Sequence, residues 1–193
     1  DSVAFKDSLK LHAFNVRQEK LRIHYADGGV HLQRFFDALE NDAKTSKVRI
    51  LHYGDSQIEG DRISSYLRDK LQKEFGGRGP GYAPPINQVP SMSLKQDNSE
   101  NWIRYTIFGR KDTTVKHKEY GLYGIFGRFT PYSNDTLPKD SVKAWITFDR
   151  SNIGYSGTRV YRTATMLYGN VKEPFKLSVY SNDELIYSEV LSG

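Results

Sequence analysis

The spacing of apolar residues divides the chain into a part with helical period and a part without it. Leu32, Phe35, Phe36, Leu39 and Ala43 recur at helical spacing and predict a helix over 31–44 with one apolar face. Thr45-Ser46-Lys47 interrupts that pattern. The β-branched and apolar run Val48-Arg49-Ile50-Leu51-His52-Tyr53 then predicts a strand over 48–53. Further on, Ile63, Tyr66, Leu67, Leu71 and Phe75 predict an amphipathic helix over 61–75 packed on the same sheet, with Asp61 as its N-cap and Gly76-Gly77 as its stop. A helix leading into a buried strand, with a second helix after it, is the grammar of an open α/β sheet. Residues 1–30 show no firm period, and Ala26-Asp27-Gly28-Gly29 reads as a turn.

Beyond Asn101 the helical period disappears. Short strand-like runs replace it at 102–108, 142–148, 163–168 and 175–180, and Ser181-Asn182-Asp183-Glu184 predicts a hairpin turn into 185–191. Several short strands separated by turns predict a β-sandwich or jelly roll. The Gly-Pro-rich loop 76–85 and the polar stretch 87–100 mark the expected boundary. The expected organisation is an α/β portion over 1–85 joined to a β-sandwich over 90–193, mixed α/β plus β as a fold class.

Composition narrows this picture. Within 193 residues the hydrophobic share is 37%, but there are 13 Tyr and 10 Phe, a balance that suits a β-rich fold with aromatic contact surfaces. The formal charge is +5, with Lys and Arg scattered among Asp and Glu. That scatter argues against nucleic acid, and the mild positive excess fits an anionic cell-wall polymer at least as well, so charge alone does not choose the partner. Cysteine is absent, which excludes disulfides, thiolate catalysis and Cys-ligated metals. No apolar run approaches the ~20 residues of a membrane-spanning helix.

The stretch richest in chemistry is Gly54-Asp55-Ser56, at the end of the expected strand. A strand end followed by a tight turn holds a hydroxyl rigidly at the mouth of a sheet, and the backbone N–H groups of the turn can face a developing oxyanion. By themselves these three residues are turn formers and need signify no more than a turn. Their surroundings add to them: the apolar run before, the polar Gln57-Ile58-Glu59-Gly60-Asp61 turn, the amphipathic helix behind, and the loop Phe75-Gly76-Gly77-Arg78-Gly79-Pro80-Gly81-Tyr82. Over residues 45–82 this pattern resembles block I of the SGNH (GDSL-like) hydrolases, an esterase and acylhydrolase superfamily. The β-rich remainder is similar in architecture to peptidoglycan O-acetylesterases, in which a carbohydrate-binding-module-like β-sandwich is inserted soon after block I. The resemblance implies a flavodoxin-like fold for the α/β portion, with Ser56 as nucleophile and backbone oxyanion donor and Gly54 and Asp55 shaping the turn.

That resemblance also defines what this sequence lacks. The superfamily pattern includes a Gly-x-Asn-Asp block and a C-terminal Asp-x-x-His. None of His12, His24, His31, His52 and His117 has Asp three residues before it, and Gly-x-Asn-Asp is absent. Two explanations stand: the chain is the N-terminal portion of a longer enzyme, or it is a self-sufficient module that keeps the block I pattern without catalysis. A single strand with two helices cannot complete a doubly wound sheet, which favours the first. On that basis the 193-residue chain alone is expected to show little or no esterase activity.

The same residues admit other readings. His52, on the expected strand, points along the sheet and reads as packed or hydrogen-bonded rather than as a base for Ser56. Asp55, Glu59 and Asp61 match no calcium loop and read as caps and solvated charges, so no metal is expected. The loop 76–81 lacks the Gly-Lys-Ser/Thr end of a phosphate-binding loop. Trp102, Trp145 and Tyr123 are the candidate sugar-stacking residues, with Tyr120 and Tyr155 as further aromatics of the same region.

The expectation is an esterase of the bacterial periplasm, cell envelope or secreted space, acting on an acylated carbohydrate such as an O-acetylated polysaccharide, with no cofactor, no nucleic acid and no membrane span. The alternative is a non-catalytic carbohydrate-binding module.

Overall fold

A computed structural model describes residues 12, 15–17, 19, 28–110, 112–130 and 142–193. The fold is mixed α/β, a few helices and several small antiparallel sheets, and it divides into two compact units, Asp1–Gly77 and Arg78–Gly193.

In the first unit, helix α1 (Val30–Glu40) starts after Gly29, whose φ of 89° lies in the left-handed region open to glycine. Of the turn expected at 26–29, Ala26 and Asp27 lie outside the described residues. Leu39 is 5% exposed and Leu32 and Phe35 are half-buried, whereas Phe36 lies against the edge of Phe35 and stays exposed. The helix ends at Asn41, and a 3-10 turn, Asp42–Lys44, follows. There the Asp42 carbonyl accepts bonds from the Thr45 N–H (3.1 Å) and the Ser46 N–H (2.8 Å) and hydroxyl (3.1 Å). Sequence pattern and structure therefore agree on a helical segment broken at Thr45-Ser46.

The strand expected over 48–53 is not formed. These residues carry no ladder pairing, and Leu51 is 59% and Tyr53 80% exposed. A β-strand is stabilised by cross-strand neighbours as much as by its own residue types, and none of the described strands pairs with this run.

Helix α2 (Arg62–Phe75) forms close to the predicted bounds, but it turns an unexpected face inward. Ser65 and Asp69 are its buried residues, while Ile63, Tyr66 and Leu67 of the apolar stripe are exposed. Among the described residues of this unit, 48–53 is unpaired and forms no sheet for that stripe to pack on. The inward Asp69 is 1% exposed; one carboxylate oxygen takes a 2.6 Å bond from Lys73, one turn on, and Oδ1 has no hydrogen-bond partner. Gly76, with φ 86°, ends the helix where Gly76-Gly77 predicts its stop.

The second unit contains six strands in three antiparallel pairs: β1 (Leu94–Asn98), β2 (Trp102–Thr106), β3 (Ile125–Phe129), β4 (Ile146–Arg150), β5 (Phe175–Ser181) and β6 (Glu184–Leu191), paired β1–β4, β2–β3 and β5–β6. Strand β2 ends at Thr106, short of the expected 108, where the Thr106 hydroxyl donates to the Phe108 carbonyl at 2.7 Å and turns the chain. The strand expected over 142–148 is displaced to Ile146–Arg150 by its register with β1. The run 163–168 forms no strand; Met166, Leu167 and Tyr168 are exposed and have no ladder partner. Strands β1 and β3 were not anticipated, β1 because Leu94-Lys95-Gln96-Asp97-Asn98 is polar.

Asn101 ties the pairs together. It is buried, its amide donates to the carbonyls of Thr130 and Lys143 at 3.0 Å each, and its own carbonyl accepts the Thr130 N–H at 3.0 Å. Beside it the Ser99 N–H donates to the Trp145 carbonyl and the Ser99 hydroxyl accepts the Trp145 N–H, both at 3.0 Å. Phe129 contacts Trp102 and Phe175 edge-on, at centroid distances of 5.3 and 5.9 Å, and so links β2, β3 and β5. The hairpin β5–β6 closes on Asn182 and Asp183, with φ 49° and 67°, the two left-handed residues of a tight primed turn.

The Gly-Pro loop belongs with these strands. The Gly79 N–H donates to the Gly157 carbonyl (3.0 Å), the Tyr123 hydroxyl donates to the Tyr82 carbonyl (3.1 Å), and Pro85 and Ile86 lie against Gly127 of β3.

Candidate functional site

Ser56 lies in a turn at the end of the unpaired run 48–53, and local chemistry holds that turn. A Cβ added to Gly54 would lie 3.3 Å from Ile58 Cδ1, so the glycine lets Ile58 fold back over the backbone. Asp55 Oδ1 accepts the Gln57 N–H at 2.9 Å, the local side-chain bond that makes Asp a turn residue. The Asp55 carbonyl accepts the Ile58 N–H at 3.2 Å, and the Ser56 carbonyl accepts the Glu59 N–H at 3.3 Å.

A cation completes the loop. Arg62, the first residue of α2, donates through Nη2 to the Ser56 carbonyl and through Nε to the Glu59 carbonyl at 3.0 Å. Of the peptide groups flanking Ser56, the Asp55 carbonyl, the Ser56 carbonyl and the Gln57 N–H are thus engaged inside the turn. Among the described residues, no hydrogen bond ends at the Ser56 N–H or Oγ, and Ser56 is exposed.

The start of α2 departs from the expected cap. Asp61 occupies the N-cap position but makes no side-chain cap bond, and both it (φ 64°) and Gly60 (φ 67°) are left-handed. Its carboxylate instead takes two bonds from Arg68, at 2.7 and 3.0 Å, in a largely buried fork. An aspartate in the left-handed region costs on the order of 1 kcal/mol, and a bidentate, part-buried guanidinium offsets it. The 3-10 turn Glu59–Asp61 separates Ser56 from the helix, so the positive group next to Ser56 is the Arg62 side chain rather than the helix end.

No family model, curated protein or solved structure matches this chain. What the site can do therefore rests on its own geometry.

The other expected residues fall as follows. His52 is exposed on the unpaired run and makes no hydrogen bond to Ser56. The Asp55 carboxylate takes the Gln57 N–H and the Asp61 carboxylate takes Arg68, and among the described residues no three His, Asp or Glu side chains are grouped as a metal ion would require. Trp102 and Trp145 are joined by a 3.1 Å bond from the Trp102 indole N–H to the Trp145 carbonyl; Trp102 is half-buried against Phe129 and Trp145 is 49% exposed. Tyr123 packs on Tyr82, its ring centroid 4.9 Å away. Tyr120 packs on Phe126 and His117, and no ring contact joins it to Trp102, Trp145 or Tyr123. No described helix is long and apolar enough to cross a membrane.

Sequence reasoning missed Arg62 and Arg68. The Asp61–Arg68 pair had a readable signal, because a separation of seven residues is two helical turns and places both on one face. Arg62 had none, since its role depends on the turn bringing the Ser56 carbonyl back toward the helix start.

Proposed function

We propose that this chain is part of an SGNH-type serine esterase that removes acyl groups, O-acetyl above all, from a cell-wall or other polysaccharide in the bacterial envelope or outside the cell. The observation that carries the reading is the Ser56 turn, in which the neighbouring peptide groups are held internally while the Ser56 hydroxyl and N–H stay free and exposed. In this reading, Ser56 Oγ attacks the acyl carbon and a histidine takes the hydroxyl proton. The negative oxygen that develops is met by the Ser56 N–H. Collapse of the intermediate expels the sugar oxygen, which receives the proton from the histidine, and leaves an acyl ester on Ser56. Water, deprotonated by the same base, then releases the carboxylic acid and restores the serine. Arg62 helps position the nucleophile by fixing the Ser56–Gln57 peptide, while the Ile58 N–H, bonded to the Asp55 carbonyl, fixes the peptide plane that carries the Ser56 N–H. The base and its orienting carboxylate are supplied from outside these 193 residues. The first unit then contributes part of a flavodoxin-like sheet domain, and the second is a β-sandwich module.

The test is hydrolysis of an acetylated polysaccharide by the product of the whole reading frame. Ser56→Ala is expected to lower kcat by about 10³-fold or more. Unchanged turnover refutes the assignment of Ser56. The exposed Trp145 and Tyr123 favour a second reading, a non-catalytic carbohydrate-binding module. Polysaccharide binding without Ser56-dependent turnover in the whole product would establish that one instead.

A further inference from the structure

Among the described residues, strand β2 pairs with β3 along one edge only. Four successive residues, 103–106, line an open groove of about 440 Å³ together with Arg110, Asp112 and Tyr120. Successive side chains of a strand point to opposite faces, so a groove that touches four in a row runs along the strand's free edge.

The groove has a mixed chemistry. Arg104 and Arg110 both line it, and among the described residues neither side chain makes an ion pair or hydrogen bond. Asp112 lines the same groove with its carboxylate held on one side: Oδ1 accepts the Thr114 N–H at 2.8 Å and the Thr114 hydroxyl at 2.6 Å. Those two bonds hold its pKa below the ordinary carboxylate value, so it is ionised at neutral pH with Oδ2 left to accept. The rings are fixed. Tyr105 stacks on Phe126 at 4.7 Å with planes 10° apart, and Tyr120 lies 5.3 Å from the same ring.

We propose that this groove binds a carboxylated sugar unit of a polysaccharide, such as a uronate. The two guanidinium groups take the sugar carboxylate, Asp112 accepts a sugar hydroxyl, and the apolar face of the pyranose lies on Tyr105 or Tyr120. A guanidinium matches a carboxylate in a two-bond fork. The acceptor carboxylate of Asp112 suits a ligand that carries hydroxyl donors as well as an anionic group. An open groove at a strand edge admits an internal unit of a polymer, whereas a small free ligand is usually enclosed. The inference rests on the reading of the chain as polysaccharide-directed, but it does not involve Ser56.

The experiment is calorimetric titration of the 193-residue chain with hexamers of galacturonate and of glucuronate, alongside neutral galactose hexamers and hexaglutamate. At least one uronate hexamer is expected to bind tenfold or more tightly than both the neutral sugar and the peptide, with affinity falling as salt rises. Arg104→Gln and Arg110→Gln should each weaken binding about tenfold; Arg110 is exposed, so its substitution reads out binding without disturbing the fold. Asp112→Asn gives the sharpest reading. A carboxylate that merely repels an anion would give tighter binding when neutralised, whereas one that accepts a sugar hydroxyl gives binding weakened several-fold. No uronate binding, equal binding of hexaglutamate or neutral sugar, or tighter binding by Asp112→Asn would overturn the proposal. Ester turnover measured separately on the whole product keeps the two readings apart: binding lost with turnover kept sinks the groove, and turnover absent with binding kept sinks the esterase.

Discussion

Residues 48–53 and strand β1 are both short extended runs, and they meet opposite fates. The first is built from Val48, Ile50, Leu51 and Tyr53, the residue types that populate strands, yet it stays unpaired with Leu51 and Tyr53 in solvent. The second is Leu94-Lys95-Gln96-Asp97-Asn98, poor in such types, yet it pairs over its whole length with β4. What separates them is a neighbour. β1 is followed by Ser99 and Asn101, whose bonds to Trp145, Thr130 and Lys143 hold β4 alongside, and Leu94 at its start is buried. No comparable anchor flanks 48–53. Strand formation here follows the availability of a partner and a few buried polar anchors, with intrinsic preference secondary.

Substitutions can break or sharpen this contrast. The largest effect is expected at the buried leucine. Leu94→Ala should lower the stability of the second unit by about 2–4 kcal/mol, whereas Leu51→Ala should cost less than about 0.5 kcal/mol. Urea denaturation reads the first by fluorescence, because both tryptophans of the chain, Trp102 and Trp145, lie in the second unit, and the second by helical circular dichroism. Equal costs would mean that 48–53 is packed in solution and would erase the comparison.

Next comes the anchor. Asn101→Ala removes two donors from the buried carbonyls of Thr130 and Lys143 and should cost about 2 kcal/mol, read by the same fluorescence. A loss well below that would show that backbone pairing alone holds β1 against β4.

Turn chemistry gives a smaller effect of opposite sign. Asp183→Gly places the residue best suited to φ 67° in the β5–β6 turn and should stabilise the hairpin by about 0.5 kcal/mol, seen as slower amide exchange along β5 and β6. The smallest effect is at Asp112. Its carboxyl has a lower pKa in the folded chain than in the unfolded one, so its contribution is present above the ordinary carboxylate value and is lost as pH falls through the folded one. Thr114→Ala should bring that pKa back toward 3.8, observable by NMR titration.

The Ser56 turn was legible because it is local. Gly54, Asp55 and Ser56 form it through bonds reaching no more than a few residues, and short-range side-chain chemistry of that kind is encoded in neighbouring positions. The groove along β2 was not legible. Arg104, Arg110, Asp112 and Tyr120 are spread over a strand and the loop after it, and only the fold of that loop gathers them. Trp102, Trp145 and Tyr123 looked alike as aromatics of a β-region. Which of them is half-buried against Phe129, which packs on Tyr82 and which stays largely exposed depends on strand partners distant in the chain.

By itself, the sequence determined helices α1 and α2, their glycine boundaries, the hairpin turn at Asn182-Asp183 and the turn that holds Ser56. Each of these depends on contacts within one or two turns of chain. Only the tertiary structure decided which extended runs become strands, which face of α2 is buried and which side chains share a groove. Those outcomes depend on pairing and burial between residues far apart in the chain, and a strand run carries no mark of whether its partner will arrive.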